Sequence, residues 1–498
     1  MNILEILEGT GASVPQSLAG EQIAGIASDS RKIRPGYLFV CLRGTKKDGN
    51  DFIADAFARG AVAAVTDRET DGEGVIRVPD ACLSESVMWN NFTGSPSRGM
   101  RVIAVTGTNG KTTVAMMIRE IFRRAGSKTG VITTVGVLSG DDPIDVGGGS
   151  SVSDADAAMT TPDPEVFYPA VAAMRDAGVG TLIFEASSHA LDRKKLDPLR
   201  VDVAVFTNLT EEHLDYHGTM EDYFRAKSHL ADLSGTLVIN GDDPFMRRLS
   251  ARPGAVVCRT DPPGSPGPCS VRALRVKNLG EAGIEYLYSS RERVFPVYCP
   301  APGGFTVQNT MLAATAALAS GVPRDAVTDA LSSFRGAPGR LERVTPPTCP
   351  FSVYVDYAHT PAALEALLHT VREMRSPGGR ITVVFGCGGD RDRSKRKRMG
   401  AIASSLADLT VVTGDNPRSE DPSEIISEIV KGVDREKPYA VIRDRREAIL
   451  YALSEAKPGD IVVLAGKGHE KYEITAEGKR PFDEVKIVTD YVEGGRIP

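Results

Sequence analysis

The chain has 498 residues, 41% of them hydrophobic and 25% charged, with a formal net charge of -6. Its length exceeds what one core ordinarily organises and points to about three domains; its acidic balance excludes a nucleic-acid binder working through a global basic field but allows a local pocket for small anions. Seven widely spaced cysteines with no C-x-x-C pair exclude a disulfide framework and a structural zinc site, and no run of about 18 uncharged apolar residues offers a membrane span, so the expectation is an unanchored cytoplasmic protein.

Residues 1–98 carry two apolar runs, YLFVCL at 37–42 and AVAAV at 61–65, separated by a helix-like DFIADAFARG. This predicts a smaller N-terminal α/β domain, closed by the Gly/Ser/Pro-rich segment 92–100, FTGSPSRGM. Residues 99–338 then repeat strand, loop and helix: RVIAVTG, VAMMIREIFRRAG, KTGVITTVG, GTLIFEASS, VDVAVFTN, GTLVING. Continuous apolar strands alternating with helices predict a central, doubly wound parallel sheet of the P-loop ATPase type. The Pro/Gly-rich segment 254–268 reads as a surface loop and 307–321 as an Ala-rich helix. Residues 339–498 repeat the grammar and predict a C-terminal, Rossmann-like α/β domain. Ligands sit beyond the carboxyl ends of strands in such sheets, and DYAHTP, GCGGDRDRSKR, GDNPRSEDP and GKGHEKYE all fall there.

The segment VIAVTGTNGKTTVAMMIREIF places Gly107, Thr108, Asn109, Gly110, Lys111, Thr112 and Thr113 between an apolar strand and an amphipathic helix. Backbone N–H groups of such a turn cradle phosphate, Lys111 adds a positive charge, and Thr112 offers a hydroxyl to Mg²⁺. Val105 stands where the common G-x-x-x-x-G-K-[ST] pattern has its first glycine. Glu185, ending an apolar strand, is an oxygen ligand candidate for Mg²⁺. His213 and His217 lie four apart, but no further ligands complete a zinc set. Read alone, Lys227 is a solvated lysine. The run DRDRSKRKR reads as an anion-facing loop followed by a solvated helix start, given the acidic chain around it.

In order along the chain, SDSRKIRPGYLFVCLRG, TGTNGKTT, FEASSHAL, TNLTEEHLDYHGTMEDYFRAK, PGRLERV, VDYAHTP, FGCGGDRDRSKR, GDNPRSEDP and AGKGHEKYE resemble the Mur ligase superfamily, and within it the MurE group. The resemblance covers nearly the whole chain and accounts for Val105, because the family's shortened loop lacks the early glycine. It implies an ATP-dependent amide-forming ligase of peptidoglycan synthesis that adds a diamino acid to UDP-N-acetylmuramoyl-L-Ala-D-Glu through an acyl phosphate. Lys111, Lys227 and His213 are the implied catalytic residues. Thr112, Glu185, His213 and Lys227, the last as N6-carboxylysine, would hold Mg²⁺.

By the same resemblance, Asn309, Arg340, Asp356 and His359 join the loop residues at ATP. Ser28, Ser30, Thr45, Lys46 and Lys47 meet the uridine diphosphate end, and Thr160, Thr161, Ser187, Arg193 and Lys195 the muramoyl dipeptide. Asp415-Asn416-Pro417-Arg418 matches the signature of members that add meso-diaminopimelate, with Arg391, Gly466 and Glu470 as the remaining contacts; Arg418 suits a distal carboxylate and Glu470 a distal ammonium. The chain departs from the pattern at Arg193 and Lys195, where Gln and Arg are usual, and at FTV for F-N-V, which leaves Asn309. The implied enzyme is a monomer that uses neither nucleic acid nor a membrane. Three other readings stay open: a lysine-adding member, a folylpolyglutamate synthase-like ligase, and a nucleotide-hydrolysing switch.

Overall fold

The computed structural model describes residues 1–44, 47–70, 72–144, 160–260, 264 and 267–494. The chain divides into two compact units, Met1–Arg272 with Met311–Val327, and Ala273–Thr310 with Thr328–Pro498.

The first unit contains two sheets. A four-stranded parallel sheet runs β1 (Gly25–Ala27), β2 (Tyr37–Val40), β3 (Ala61–Thr66), β4 (Val75–Arg77). Alternation along β2 sends Leu38 and Val40 into one apolar cluster and Phe39 into another, so both faces are covered, as a continuous apolar run requires. The second sheet is built on β5 (Arg101–Thr106), β6 (Thr129–Thr133), the short β7 (Gly136–Ser139) and β8 (Asp142–Pro143), β9 (Thr181–Glu185), β10 (Val201–Phe206), β11 (Ser234–Asn240) and β12 (Ala255–Arg259). Their order is β12-β11-β10-β5-β9-β6-β7-β8. The strands from β12 through β6 are parallel, and β7 and β8 turn back antiparallel.

This arrangement sets the carboxyl ends of β10, β5, β9 and β6 side by side. The phosphate-loop segment, Glu185 and the turns at Thr134 and Thr207 therefore share one sheet edge. One expectation fails here: within 254–268, read as a surface loop, Ala255–Arg259 forms β12 and pairs with β11. The short apolar run AVVCR outweighs the Pro and Gly around it, because it completes a buried sheet.

β13 (Val271–Asn278) begins beside β12. In the second unit β14 (Ile284–Ser290) and β15 (Val294–Cys299) form an antiparallel pair. A six-stranded sheet follows, built from β16 (Glu342–Arg343), β17 (Ser352–Asp356), β18 (Ile381–Phe385), β19 (Leu409–Val412), β20 (Tyr439–Val441) and β21 (Ile461–Ala465), in the order β16-β17-β21-β18-β19-β20. All but β16 are parallel. Ile381, Val383 and Phe385 face one apolar cluster while Val384 faces the other, giving helices on both sides. The hairpin β22 (Tyr472–Thr475) and β23 (Gly478–Pro481) completes the set. Because β17, β21, β18 and β19 are neighbours, the four polar loops expected at strand ends emerge along a single edge.

Candidate active site

In the first unit, β5 delivers the chain into a loop that must turn sharply onto the helix Lys111–Arg124. Gly107 sits at φ 145°, and a Cβ there would run into the hydroxyl of Thr207 and the backbone of Asn208. Gly110, at φ 84°, starts the helix without a side-chain cap, leaving first-turn N–H groups for an anion. The loop is held from the β10 side: Thr108 N donates to Asn208 O at 2.8 Å, Asn109 N to Asn208 Oδ1 at 2.9 Å, and Thr207 Oγ1 to Asn109 O at 2.6 Å. Lys111 Nζ donates to the carbonyls of Gly107 and Thr108 at 3.0 and 2.8 Å. Thr112 is buried and Thr113 half-buried.

Lys227, on the helix Met220–Ser228, is 2% exposed. Its Nζ donates to Gly107 O at 2.8 Å and lies 4.6 Å from the Tyr223 ring centre. Burial pushes this amine well below the ordinary lysine value, and the charge of Lys111 adds to the effect against Glu212. The expectation of a solvated lysine, read from the residue alone, is thereby replaced by a buried amine beside the Gly107–Gly110 loop. Glu185 is also fully buried; Thr134 donates to its Oε1 from the backbone at 3.0 Å and contacts both oxygens through its hydroxyl at 3.2 Å.

His213 occupies the left-handed region at φ 56°. Partial burial lowers its imidazole, with Lys227 and Lys111 acting in the same sense against Glu212. Its ring centre is 5.0 Å from that of His189, and His217, stacked on Tyr223, contacts Ser188 Oγ at 2.9 Å. Among the described residues no three His, Cys, Asp or Glu side chains converge as a metal cage.

In the second unit, Asp415, Asn416 and Pro417 are buried after β19 and Arg418 takes φ 53°. Arg418 Nη1 donates to Gly389 O at 2.9 Å. Asn416 Nδ2 donates to Glu470 Oε2 at 2.8 Å, and Lys467 Nζ donates to Asn416 Oδ1 at 3.0 Å. Burial raises the Asp415 carboxyl, but Lys467, Arg445 and the Asn416 N–H overcome it, and the net shift is downward. For Glu470 burial wins and the shift is upward. Gly466, at φ 117°, leaves no room for a Cβ, which would lie 2.7 Å from Asp415 Oδ2. Asp356 accepts from Leu341 N and Ala358 N at 2.7 and 2.8 Å; Arg340 packs over the Tyr357 ring at 4.7 Å, and His359 Nδ1 lies 2.8 Å from Tyr357 O.

Family profiles match three segments: the Mur ligase family catalytic domain at residues 22–86, the Mur ligase middle domain at 105–317, and the Mur ligase glutamate ligase domain at 339–468. A Gloeobacter violaceus protein named UDP-N-acetylmuramoyl-L-alanyl-D-glutamate--2,6-diaminopimelate ligase is 40% identical, covering 97% of this chain and 96% of its own. The protein of that name from Syntrophomonas wolfei is 36% identical across 99% of each. This chain belongs to the Mur ligase family. A solved structure bearing the same name matches it with a TM-score of 0.70 at 30% identity, over 100% of both chains.

The remaining expected residues of this Mur ligase fall as follows. Ser30 is buried and Ser28 half-buried at the end of β1, and Lys47 is exposed, with its Nζ 5.7 Å from the Phe52 ring centre; Thr45 and Lys46 lie outside the described residues. Thr160 is half-buried. Thr161 Oγ1 donates to Glu185 O at 2.7 Å and accepts from Ser187 N at 2.9 Å, so its hydroxyl ties the strand end to the next turn. Ser187 Oγ accepts from Ala190 N at 3.3 Å. Lys195 pairs with Asp163 at 2.5 Å, and Arg193 is half-buried near Cys82. Asn309 is buried and Arg391 exposed, both in the second unit.

Sequence reading missed several members of these sites. Thr134 fixes Glu185, Asn208 holds the Gly107–Gly110 loop, and Lys467 joins Asn416 to Glu470. Arg396, within the run read as a solvated helix start, is fully buried and pairs with Glu420 and Glu428 at 2.9 Å. Two of these carried a visible signal: Lys467, a lysine between two glycines, and Asn208, in TNLTEEH, each within two residues of the end of an apolar strand.

Proposed function

We propose that this Mur ligase joins an amino group of meso-2,6-diaminopimelate to the D-Glu γ-carboxylate of UDP-N-acetylmuramoyl-L-Ala-D-Glu, consuming ATP, as a cytoplasmic monomer in peptidoglycan synthesis. The observation that carries the proposal is the likeness, over nearly the full chain, to relatives named for that reaction. The surroundings of Asp415–Arg418 support it: a guanidinium, an amide and a carboxylate meet there, the donor set a zwitterionic diamino acid needs. In this reading residues 1–98 take the UDP end, 99–338 the ATP, and 339–498 the amino acid. The described helices include none long and apolar enough to cross a membrane.

A carboxylate is a poor acyl donor, because oxide would have to leave. Attack of a D-Glu carboxylate oxygen on the γ-phosphorus of ATP expels ADP and leaves an acyl phosphate, whose phosphate departs readily. The amine, having lost a proton, adds to the acyl carbon; the tetrahedral intermediate collapses, phosphate leaves and the amide remains. Lys111 and the loop N–H groups hold the polyphosphate, with Asn309, Arg340, Asp356 and His359 assigned to the rest of the nucleotide. Ser28, Ser30 and Lys47 are assigned to the uridine diphosphate, and Thr160, Thr161, Ser187, Arg193 and Lys195 to the muramoyl dipeptide. Arg418, Asn416, Glu470, Asp415, Gly466 and Arg391 orient the diamino acid.

Glu185, Thr112, His213 and Lys227 would hold Mg²⁺, which when bound offsets charge building up on the phosphates. The donor set suits a cation that draws its other ligands from nucleotide phosphates and water. It does so only if Lys227 gives up its positive charge, and a buried amine of depressed basicity is suited to capture CO₂ as a carbamate.

ADP formation measured with each substrate omitted in turn tests the proposal. Turnover should require both the UDP-dipeptide and diaminopimelate; ATP hydrolysis indifferent to both would favour a nucleotide-driven switch instead.

A further inference from the structure

Lys467 has no role in the reaction sketched above, yet its charge sits in the second site with no exposed surface. It leaves β21 directly after Gly466 and lies between two groups assigned to the amino acid. Its Nζ donates to Asn416 Oδ1 at 3.0 Å and approaches Glu470 Oε2 at 3.5 Å. The backbone N–H of Ile474 on β22 donates to the same Asn416 oxygen at 3.0 Å. Two donors therefore converge on Oδ1, so the amide can point only one way: oxygen toward Lys467 and β22, nitrogen toward Glu470. One Nδ2–H goes to Glu470, and among the described residues the other has no partner.

Lys467 also bears on the charge of Glu470. Burial pushes that carboxyl toward its neutral form, and the negative Asp415 pushes in the same direction; Lys467 and the Asn416 amide oppose them. Tyr357 feels the negative charges of Glu470 and Asp415 and the positive charges of Arg340 and Arg391, and Arg445 lies 3.8 Å from Asp415. Of the cations in this group, Lys467 is the one paired directly with Glu470.

Resting on the reading that the Asp415–Arg418 loop receives the amino acid, we infer that Lys467 is a specificity-determining positioning residue. It locks the Asn416 amide so that its nitrogen faces the ligand, and it keeps Glu470 ionised to receive a ligand ammonium. It touches neither ATP nor the reacting carboxylate in this scheme, so its effect belongs to the diamino acid alone.

The test compares Lys467→Arg, Lys467→Gln and Lys467→Met in the full-length enzyme, with KM for diaminopimelate, ATP and UDP-dipeptide measured from pH 6 to 9. Loss of a hydrogen bond to a charged group should raise KM for diaminopimelate on the order of 10- to 100-fold in Lys467→Met, leaving the other two KM values within about 2-fold. Without the ammonium the Glu470 carboxyl rises further, so 1/KM for diaminopimelate should fall off at a pH about 1 unit higher than in wild type. Lys467→Arg should restore the position of that limb. Lys467→Gln keeps a donor for Asn416 but no charge, and should show the moved limb even if Lys467→Met fails to fold. An unmoved limb in Lys467→Gln, or equal rises in all three KM values, overturns the inference. Wild-type turnover that ignores diaminopimelate would instead overturn the functional reading beneath it.

Discussion

Lys227 is an ionisable side chain that the fold has removed almost entirely from water, and its amine faces the Gly107 carbonyl with Lys111 nearby. A neutral amine is the form that adds to CO₂, so ¹³C-bicarbonate should give an enzyme-bound carbamate signal in wild type and none in Lys227→Arg, whose guanidinium does not react. An identical signal in the variant would remove Lys227 from that role. Glu85, on the helix Ala81–Phe92, shows the opposite sign. Burial and the neighbouring Asp163 raise its carboxyl from 4.5 to about 7, against a hydrogen bond from Ser28. A group whose folded value is raised adds stability below its unfolded value and loses that contribution as pH climbs through the folded one. Glu85→Gln should therefore match wild type near pH 4.5 and exceed it at pH 8 by up to about 3 kcal/mol in thermal or urea unfolding; parallel stability curves would contradict this. Neither environment is visible in sequence. Thr134 meets Glu185 from 51 residues away, and Lys467 meets Asn416 from the same separation, so these pairings exist only once strands have been placed side by side.

At the scale of elements, the strands that were legible are those whose apolar runs are continuous, because a strand buried on both faces has no polar positions to confuse the pattern. β12 was hidden by the Pro and Gly that follow it. β14, β15 and the β22–β23 hairpin were missed because alternating or exposed strands carry a weaker signal; β15 reads Val294, Pro296 and Tyr298 outward with Phe295, Val297 and Cys299 inward. The loops after strands were legible as motifs, while their internal geometry was not. Two glycines now separate them. Gly107→Ala forces a Cβ against Thr207 and Asn208, and Gly466→Ala forces one against Asp415. Each also strains a positive φ, so each should cost roughly 1–3 kcal/mol of stability. Gly107→Ala should chiefly impair ATP affinity measured by titration calorimetry, and Gly466→Ala chiefly the KM for diaminopimelate. The reverse pattern would exchange the assignments of the two loops.

For the molecule as a whole, the residues assigned to phosphate transfer belong to the first unit and those assigned to the amino acid belong to the second, apart from the nucleotide contacts Asn309, Arg340, Asp356 and His359. The ordered motifs make the family legible in the sequence, because each marks a turn where chemistry restricts residue choice. Within the site, the choice of amino acid turns on Asp415–Arg418 and their neighbours. Arg418 offers a planar fork to a second carboxylate, and L-lysine has none, which leaves the fork unpaired when lysine binds. The most direct measurement is therefore the product mass from wild-type enzyme supplied with ATP, UDP-N-acetylmuramoyl-L-Ala-D-Glu and equal amounts of meso-diaminopimelate and L-lysine. The expected result is a single new species carrying diaminopimelate, formed in step with ADP. A lysine adduct in comparable yield, or ADP released with no adduct, would contradict it.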